Sequence, residues 1–310
     1  MKYTTYTYEQ FLIELKVRLE KHFGDGYEIV LEKMFRNNSC MTYGFIISEK
    51  CNADYPHVSP VINTEDMYKE YICGRSLDSI INRIDYIYEM YLKEDFRDIH
   101  KINAENAEQC VFYRLINYDM NREMLDSVPH IRFLDLAIIF HYLYNINEDS
   151  IQSIRINNKM IDDWQCTAEQ LMEMAERNTP VLFPGKLDTM RNVIESLMER
   201  EFEEFLSDEE IAERKEMYVL SNNQASNGAT AILYSNKIKE VSELYQQDIV
   251  IIPSSIHEVI LLPVKEKEEA VNLHELVENV NKEHVAKEEV LSDNVYFYDR
   301  QKDKLEIFDL

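Results

Sequence analysis

The stretch Ile249-Val-Ile-Ile-Pro-Ser-Ser-Ile-His-Glu-Val-Ile-Leu-Leu-Pro263 constrains this chain more than any other. Two apolar runs of strand length flank a compact polar core of Ser254, Ser255, His257 and Glu258. Continuous β-branched runs of this kind read as core strands buried on both faces, so the chain must build a sheet and cover it. The polar core then either turns the chain between the two strands or forms a site. A nucleophilic site needs a serine oxygen within hydrogen-bond reach of His257 and a carboxylate that fixes the imidazole tautomer. In an extended chain Ser255 and His257 share a face about 7 Å apart at Cα, whereas Glu258 points to the other face. No G-x-S-x-G elbow is present. In the turn reading, Pro253 ends one strand, the serines bond to nearby backbone, and His257 and Glu258 open the next strand. A third reading has these polar groups line a pocket without chemistry.

A second constellation lies at Ser221, Asn222, Asn223, Asn227 and Gly228. Asn-Gly favours positive φ, so the pair reads first as a hairpin turn. If the strand before it neighbours the Ser254–Glu258 segment, Asn222 becomes a wall of the same pocket, with Asn227 beside it.

With 310 residues and 45% apolar content, the chain is long enough for one large domain or two ordinary ones. Only 6 Gly and 7 Pro occur, and neither G-x-G-x-x-G nor G-x-x-x-x-G-K-[ST] is present, which excludes Rossmann and P-loop readings. The 58 acids against 33 Lys and Arg give a formal charge of -25, which repels a phosphate backbone and argues against direct nucleic-acid binding. An acidic mimic of nucleic acid stays open as an alternative. Cys40, Cys51, Cys73, Cys110 and Cys166 are widely spaced without a C-x-x-C pair, and read as buried thiols in a reducing cytosol. No metal-ligand spacing or cofactor motif is apparent, and the apolar runs are far short of a membrane span. A cytoplasmic protein is the expectation.

Along the chain, Phe11 to Phe23 has helical spacing and stops at Gly24. Tyr27 to Met34 and Met41 to Ser48 read as antiparallel strands, giving an α-β-β opening. A long or broken helix follows over 64–94, interrupted at Gly74, and Glu105 to Leu115 also reads as helical. Phe133 to Tyr144 reads as two strands or one bent strand. Helices are expected from Thr167, as N-cap, to about Asn178, and from Leu187 to Phe205. The acid-rich run Glu195–Glu216 is a solvated helical face and a candidate boundary. Beyond it come strands at 217–220, 229–234, 249–252 and 258–262, helices at 235–245 and 266–283, and a closing strand pair at 295–298 and 304–308. The expected fold is α+β, with mixed or antiparallel sheets carrying helices on a face. Its parts are an N-terminal module 1–186, an acidic connecting helix 187–216 and a C-terminal module 217–310. The 20 tyrosines cluster at Tyr3, Tyr6, Tyr8 and at Tyr68, Tyr71, Tyr86, Tyr88, Tyr91, where core packing is expected and an interface is the alternative.

Several of these motifs carry a family resemblance. Tyr218-Val-Leu-Ser-Asn222, Asn227-Gly-Ala229, Ile252 to Pro263 and Glu289-Val-Leu-Ser-Asp293-Asn-Val-Tyr296 resemble the domain-of-unknown-function family 5688. Upstream, Arg36-Asn-Asn38, the stretch Ser59 to Gly74, and Leu115-Ile-Asn117 to Asn121-x-x-x-Leu125 fit the same pattern. Ser39 stands where glycine is expected, and Val61-Ile-Asn63 replaces Ile-Tyr-Leu. The resemblance implies a bacterial origin and brings no activity with it.

Without a catalytic motif, the leading expectation is a non-catalytic binding or regulatory protein acting on another macromolecule through its acidic or tyrosine-rich surface. The rival is a hydrolase centred on Ser254 or Ser255, His257 and Glu258.

Overall fold

The computed structural model describes residues 6–50, 61–93, 104–146, 151–198, 216–265, 267–270 and 272–308. The chain forms two compact units, one of residues 1–36 and 40–102, the other of 37–39 and 103–310. The class is α+β, and every strand pairing among the described residues is antiparallel.

In the first unit, helix α1 (Tyr8–Phe23) starts at a capping box in which Thr7 and Gln10 satisfy each other's backbone N–H, and it stops at Gly24 with φ 78°. Its buried stripe of Phe11, Leu12, Leu15 and Leu19 packs with a three-stranded sheet and α3. The sheet is β1 (Tyr27–Phe35), β2 (Met41–Glu49) and β3 (Val61–Asn63), in that order. The expected helix over 64–94 is two helices, α2 (Thr64–Ile72) and α3 (Leu77–Lys93), separated at Gly74, whose φ of 98° ends the first. The tyrosines here are core residues with engaged hydroxyls. The Tyr8 hydroxyl lies 2.6 Å from Thr64 Oγ1, the Tyr68 hydroxyl donates to the Tyr6 carbonyl, and the Tyr71 hydroxyl accepts the Tyr6 N–H. Tyr86 is exposed, and Tyr3 lies outside the described residues.

The second unit holds two sheets. After α4 (Ala104–Cys110), strand β4 (Val111–Asn117) pairs β6 (Leu136–Ile146), which on its other side pairs β5 (His130–Phe133) and β7 (Ile151–Arg155). Two short helices, α5 (Arg122–Leu125) and α6 (Asn158–Trp164), precede α7 (Ala168–Leu182), which begins at a Thr167 capping box. The second sheet has six strands in the order β13, β12, β10, β11, β9, β8, with β8 (Gly185–Thr189), β9 (Tyr218–Asn222), β10 (Asp248–Pro253), β11 (Val259–Val264), β12 (Tyr296–Asp299) and β13 (Lys304–Ile307). Helices α8 (Met190–Met198), α9 (Lys237–Tyr245) and α10 (Leu273–Glu283) complete the unit. Val277 of α10 and Ala270 pack on the face of the six-stranded sheet that carries Val250 and Phe297.

Four expectations are corrected. The helix expected over 105–115 gives way at Val111 to β4, because Val-Phe-Tyr-Arg-Leu-Ile is a β-rich run that pairs residue for residue with β6. Residues 185–189 form a strand on β9, not the start of a helix, so 187–216 is no separate connector; its acidic part, 199–215, lies outside the described residues. The division into 1–186 and 217–310 yields to a boundary near residue 102, because β8 and β9 share one sheet across it. The expected strand 229–234 is a 3-10 helix, Gly228–Leu233, which buries Ala229, Ala231 and Ile232.

Strand β4 is an edge strand, and side chains finish its outer row. The Tyr113 and Leu115 N–H groups donate to the hydroxyls of Thr179 and Thr230, both at 3.2 Å, while the Asn178 amide donates to the Val111 carbonyl at 2.9 Å. Deeper in the unit, a buried amide cluster ties three segments together. Asn38, in the left-handed region at φ 57°, donates its backbone N–H to Asn121 Oδ1 and its side-chain amide to the carbonyls of Lys287 and Val290, each at 2.7 Å. Asn121 donates to Asn38 Oδ1 and to the Asn117 carbonyl, and Asn117 donates to the Leu291 carbonyl.

Replacing Asn38 by Ala leaves the Asn121 amide and the buried Val290 carbonyl short of a partner, while the Lys287 carbonyl keeps the Val290 N–H. The expected loss is about 1–3 kcal/mol for each group left unpaired. Urea unfolding followed by the fluorescence of the single tryptophan, Trp164, measures it.

Candidate functional site

The joint between β10 and β11 places Ser254, Ser255, His257 and Glu258 in one tight loop, and most of its polar groups have structural partners. Ser255 Oγ accepts the His257 N–H at 3.0 Å, the Ser255 N–H donates to the Glu258 carbonyl at 3.3 Å, and the Ile256 N–H donates to the Glu289 carbonyl at 2.8 Å. Ser254 Oγ lies 3.4 Å from a Glu258 carboxylate oxygen. His257 Nδ1 accepts the Asn227 N–H at 3.2 Å, and Nε2 is 3.6 Å from the Glu289 carboxylate. An Nδ1 that accepts a backbone N–H puts the neutral ring's proton on Nε2, so neither ring nitrogen is placed to take a proton from Ser254 or Ser255.

Strand β9 pairs β11 with Leu220 opposite Val259, so the segment after β9 lies against this loop. Ser221 Oγ donates to the His257 carbonyl at 2.8 Å, and the Ala229 N–H donates to the Ile256 carbonyl. Asn222 is buried and closes its own turn, accepting the Gln224 N–H and donating to the Ser226 carbonyl. Asn227, at φ 51°, and Gly228 do not form the expected hairpin turn; they lead into the 3-10 helix. Gly228 is required by proximity, since a Cβ there would stand 2.6 Å from both the Asn222 nitrogen and the His257 carbonyl oxygen.

The six candidate residues therefore divide. Asn222 and Asn227 line a shallow cleft with about 10 Å³ of enclosed space, whereas Ser254, Ser255, His257 and Glu258 are not among the residues that line it. The cleft is bounded by Phe112, Tyr113 and Arg114 of β4, Ile151 at the start of β7, Thr179 and Phe183 at the end of α7, and Ser226, Thr230 and Tyr234. Sequence reasoning missed Arg114, Thr179 and Thr230. The available signal was Arg114 itself, a lone charge inside the apolar run Val111–Asn117. In β4 its neighbours on either side are buried, and its guanidinium lies over the Phe112 ring at 5.3 Å. Burial pushes its pKa down to about 10, a measure of unfavourable desolvation in a group that stays charged at neutral pH.

On the same sheet, β6 carries His141 opposite Phe112 and, on the other side, opposite Arg155. Burial, with the charges of Arg114 and Arg155, holds this imidazole well below its usual pKa. Asp135, at the tight turn between β5 and β6, accepts from Ser292, Asn294 and Tyr296 and is a structural staple. The thiols are less buried than expected: Cys73 is exposed, Cys40, Cys110 and Cys166 are half-buried, and Cys51 lies outside the described residues. Among the described residues no helix is long and apolar enough to cross a membrane.

The profile of a family described as being of unknown function, 5688, matches residues 8–300. No curated protein and no solved structure matches the chain.

Two outcomes follow from the geometry. Gly228→Ala is expected to force Asn222 and the His257 loop apart, lowering stability by about 1–3 kcal/mol in urea unfolding. His141 has a folded-state pKa below its unfolded value, so its stabilising contribution is complete above about pH 6.5 and declines as pH falls. His141→Gln is expected to flatten the acid limb of stability against pH by up to about 1.4 kcal/mol per unit below that point.

Proposed function

We propose that this chain, which belongs to the domain-of-unknown-function family 5688, is a non-catalytic binding protein whose second unit takes its ligand in the cleft between β4 and the Asn222–Tyr234 segment. One observation carries the reading: among the described residues the lining offers hydroxyls, amides, aromatic rings and one guanidinium, with no carboxylate, imidazole or thiol among their side chains. Such a surface can orient a ligand by hydrogen bonds, but its described residues hold no general base to activate Ser226, Thr179 or Thr230. The hydrolase alternative is disfavoured on the same physical ground, because the His257 nitrogens face Asn227 and Glu289 and the serines are held by Glu258 and the His257 backbone. A regulatory role towards a macromolecule fits if that partner presents a small group to the cleft or responds to the filled state. The tyrosine-rich surface lends this less support, since most of the described tyrosine hydroxyls in the first unit's aromatic cluster are used internally.

Native mass spectrometry of protein purified from its host, paired with assays on generic ester and phosphoester substrates, tests the reading. The expected result is a stoichiometric small molecule retained by the wild type, and no turnover. Turnover that disappears in both Ser255→Ala and His257→Ala, with folding intact, would establish the hydrolase instead.

A further inference from the structure

Among the described residues that line the cleft a single one is charged, and it defines what the cleft can hold. Arg114 is a half-buried cation laid over the Phe112 ring, and among the described residues no carboxylate lies within ion-pair distance and no hydrogen-bond acceptor meets its guanidinium. The chain carries 58 acids, and surface arginines such as Arg18, Arg75 and Arg122 are each matched to one. Leaving this arginine unmatched is costly, because a desolvated charge needs compensation more than an exposed one. The neighbourhood adds to the positive potential: Arg155 and Arg114 are the two charges felt by the buried His141 ring on the same sheet. Two further donors line the same cleft. Thr179 and Thr230 each accept a β4 N–H at the hydroxyl oxygen, which leaves both hydroxyl hydrogens free to donate, and no acceptor for either is found among the described residues. Phe112, Phe183 and Tyr234 wall the space and limit water, which strengthens any charge-assisted hydrogen bond formed inside it.

We propose that the cleft is an oxyanion subsite, in which the Arg114 guanidinium and the hydroxyls of Thr179 and Thr230 hold the carboxylate or phosphate group of a small ligand. The inference rests on the binding reading above and adds the ligand's charge and shape. Arginine suits this role because its planar fork matches two oxygens at once. The enclosed part of the cleft is only about 10 Å³, room for one water-sized group, so what it admits is a single terminal oxyanion group at its open mouth and not a whole buried ligand. The net charge of -25 selects against polyanions and leaves small, weakly charged molecules as the class that can approach.

The test uses the full chain with acetate and inorganic phosphate as separate probes, each against sodium chloride at matched ionic strength, and reads the thermal midpoint and direct calorimetric binding. The expected result is a saturable rise of the midpoint with at least one oxyanion, and the stronger probe identifies whether carboxylate or phosphate is preferred. Arg114→Met should weaken that binding by about 10–100-fold, while Arg114→Lys, which keeps the charge but loses the fork, should fall between. Without added anion, Arg114→Met should melt at or above the wild-type temperature, because it removes an uncompensated, half-buried charge. No saturable response to either probe, an undiminished response in Arg114→Met, or a lower melting temperature for that variant without anion would each overturn the inference. If the oxyanions fail while the host-purified protein retains a neutral or cationic molecule, only the ligand class falls and the binding reading stands. Loss of both results, with turnover appearing, would remove the binding reading as well.

Discussion

The amide cluster of Asn38, Asn117 and Asn121 is the interaction on which the second unit's order depends. The carbonyls of Val290 and Leu291 belong to irregular backbone just beyond the 3-10 turn Lys287–Glu289, and buried backbone must find partners elsewhere. Asn38 and Asn117 supply them while Asn121 holds both, and each of the three uses its amide as donor and its oxygen as acceptor, so that no member can be replaced by a group of one polarity. Segments far apart in sequence are thereby fixed against one another: the turn at 37–39, the end of β4 and its following loop, and the stretch at 287–291. The family's own motifs meet here, since Arg36-Asn-Asn38, Leu115-Ile-Asn117, Asn121 and Glu289-Val-Leu-Ser-Asp293 all contribute residues to the cluster or its border. That part of the signature marks architecture.

The parts of the fold legible in the sequence were those whose cause is local. Thr167 announces a helix start through a side chain that reaches only three residues ahead, and Gly24 and Gly74 announce stops through a backbone conformation that glycine adopts freely. The two strands around Pro253 were legible because an apolar run of that length has few other uses. What was not legible is set by distant pairing. β4 follows a helix without a break in hydrophobicity, and only β6, some twenty residues on, makes it a strand. The residues 185–189 look like the start of an amphipathic helix until β9 is placed beside them.

The same distinction divides the site. Asn222 and Asn227 could be nominated because turn-forming residues between strands often face a cavity, and the pairing of β9 with β11 puts them there. His257 drew attention through its company of serines and a carboxylate, but its Nδ1 serves Asn227, a residue thirty positions away. Arg114 was visible in the sequence as an oddity. Its meaning comes from the lack of a counter-charge around it, a property of three-dimensional arrangement that no local pattern encodes. An acid-rich chain makes that lack more informative, because carboxylates are abundant and none stands among the described residues that line the cleft.

The side-chain finish on the outer edge of β4 has a consequence for how this protein can associate. An edge strand normally offers a row of free N–H and C=O groups, which any extended segment can copy. Here Thr179, Thr230 and Asn178 occupy that row from α7 and the 3-10 segment. An invading strand would have to peel away two packed elements before making its first bond, so the four-stranded sheet is closed to growth along β4. Assembly by sheet continuation, the route to swapped dimers and fibrils, is denied at this edge by two hydroxyls and an amide.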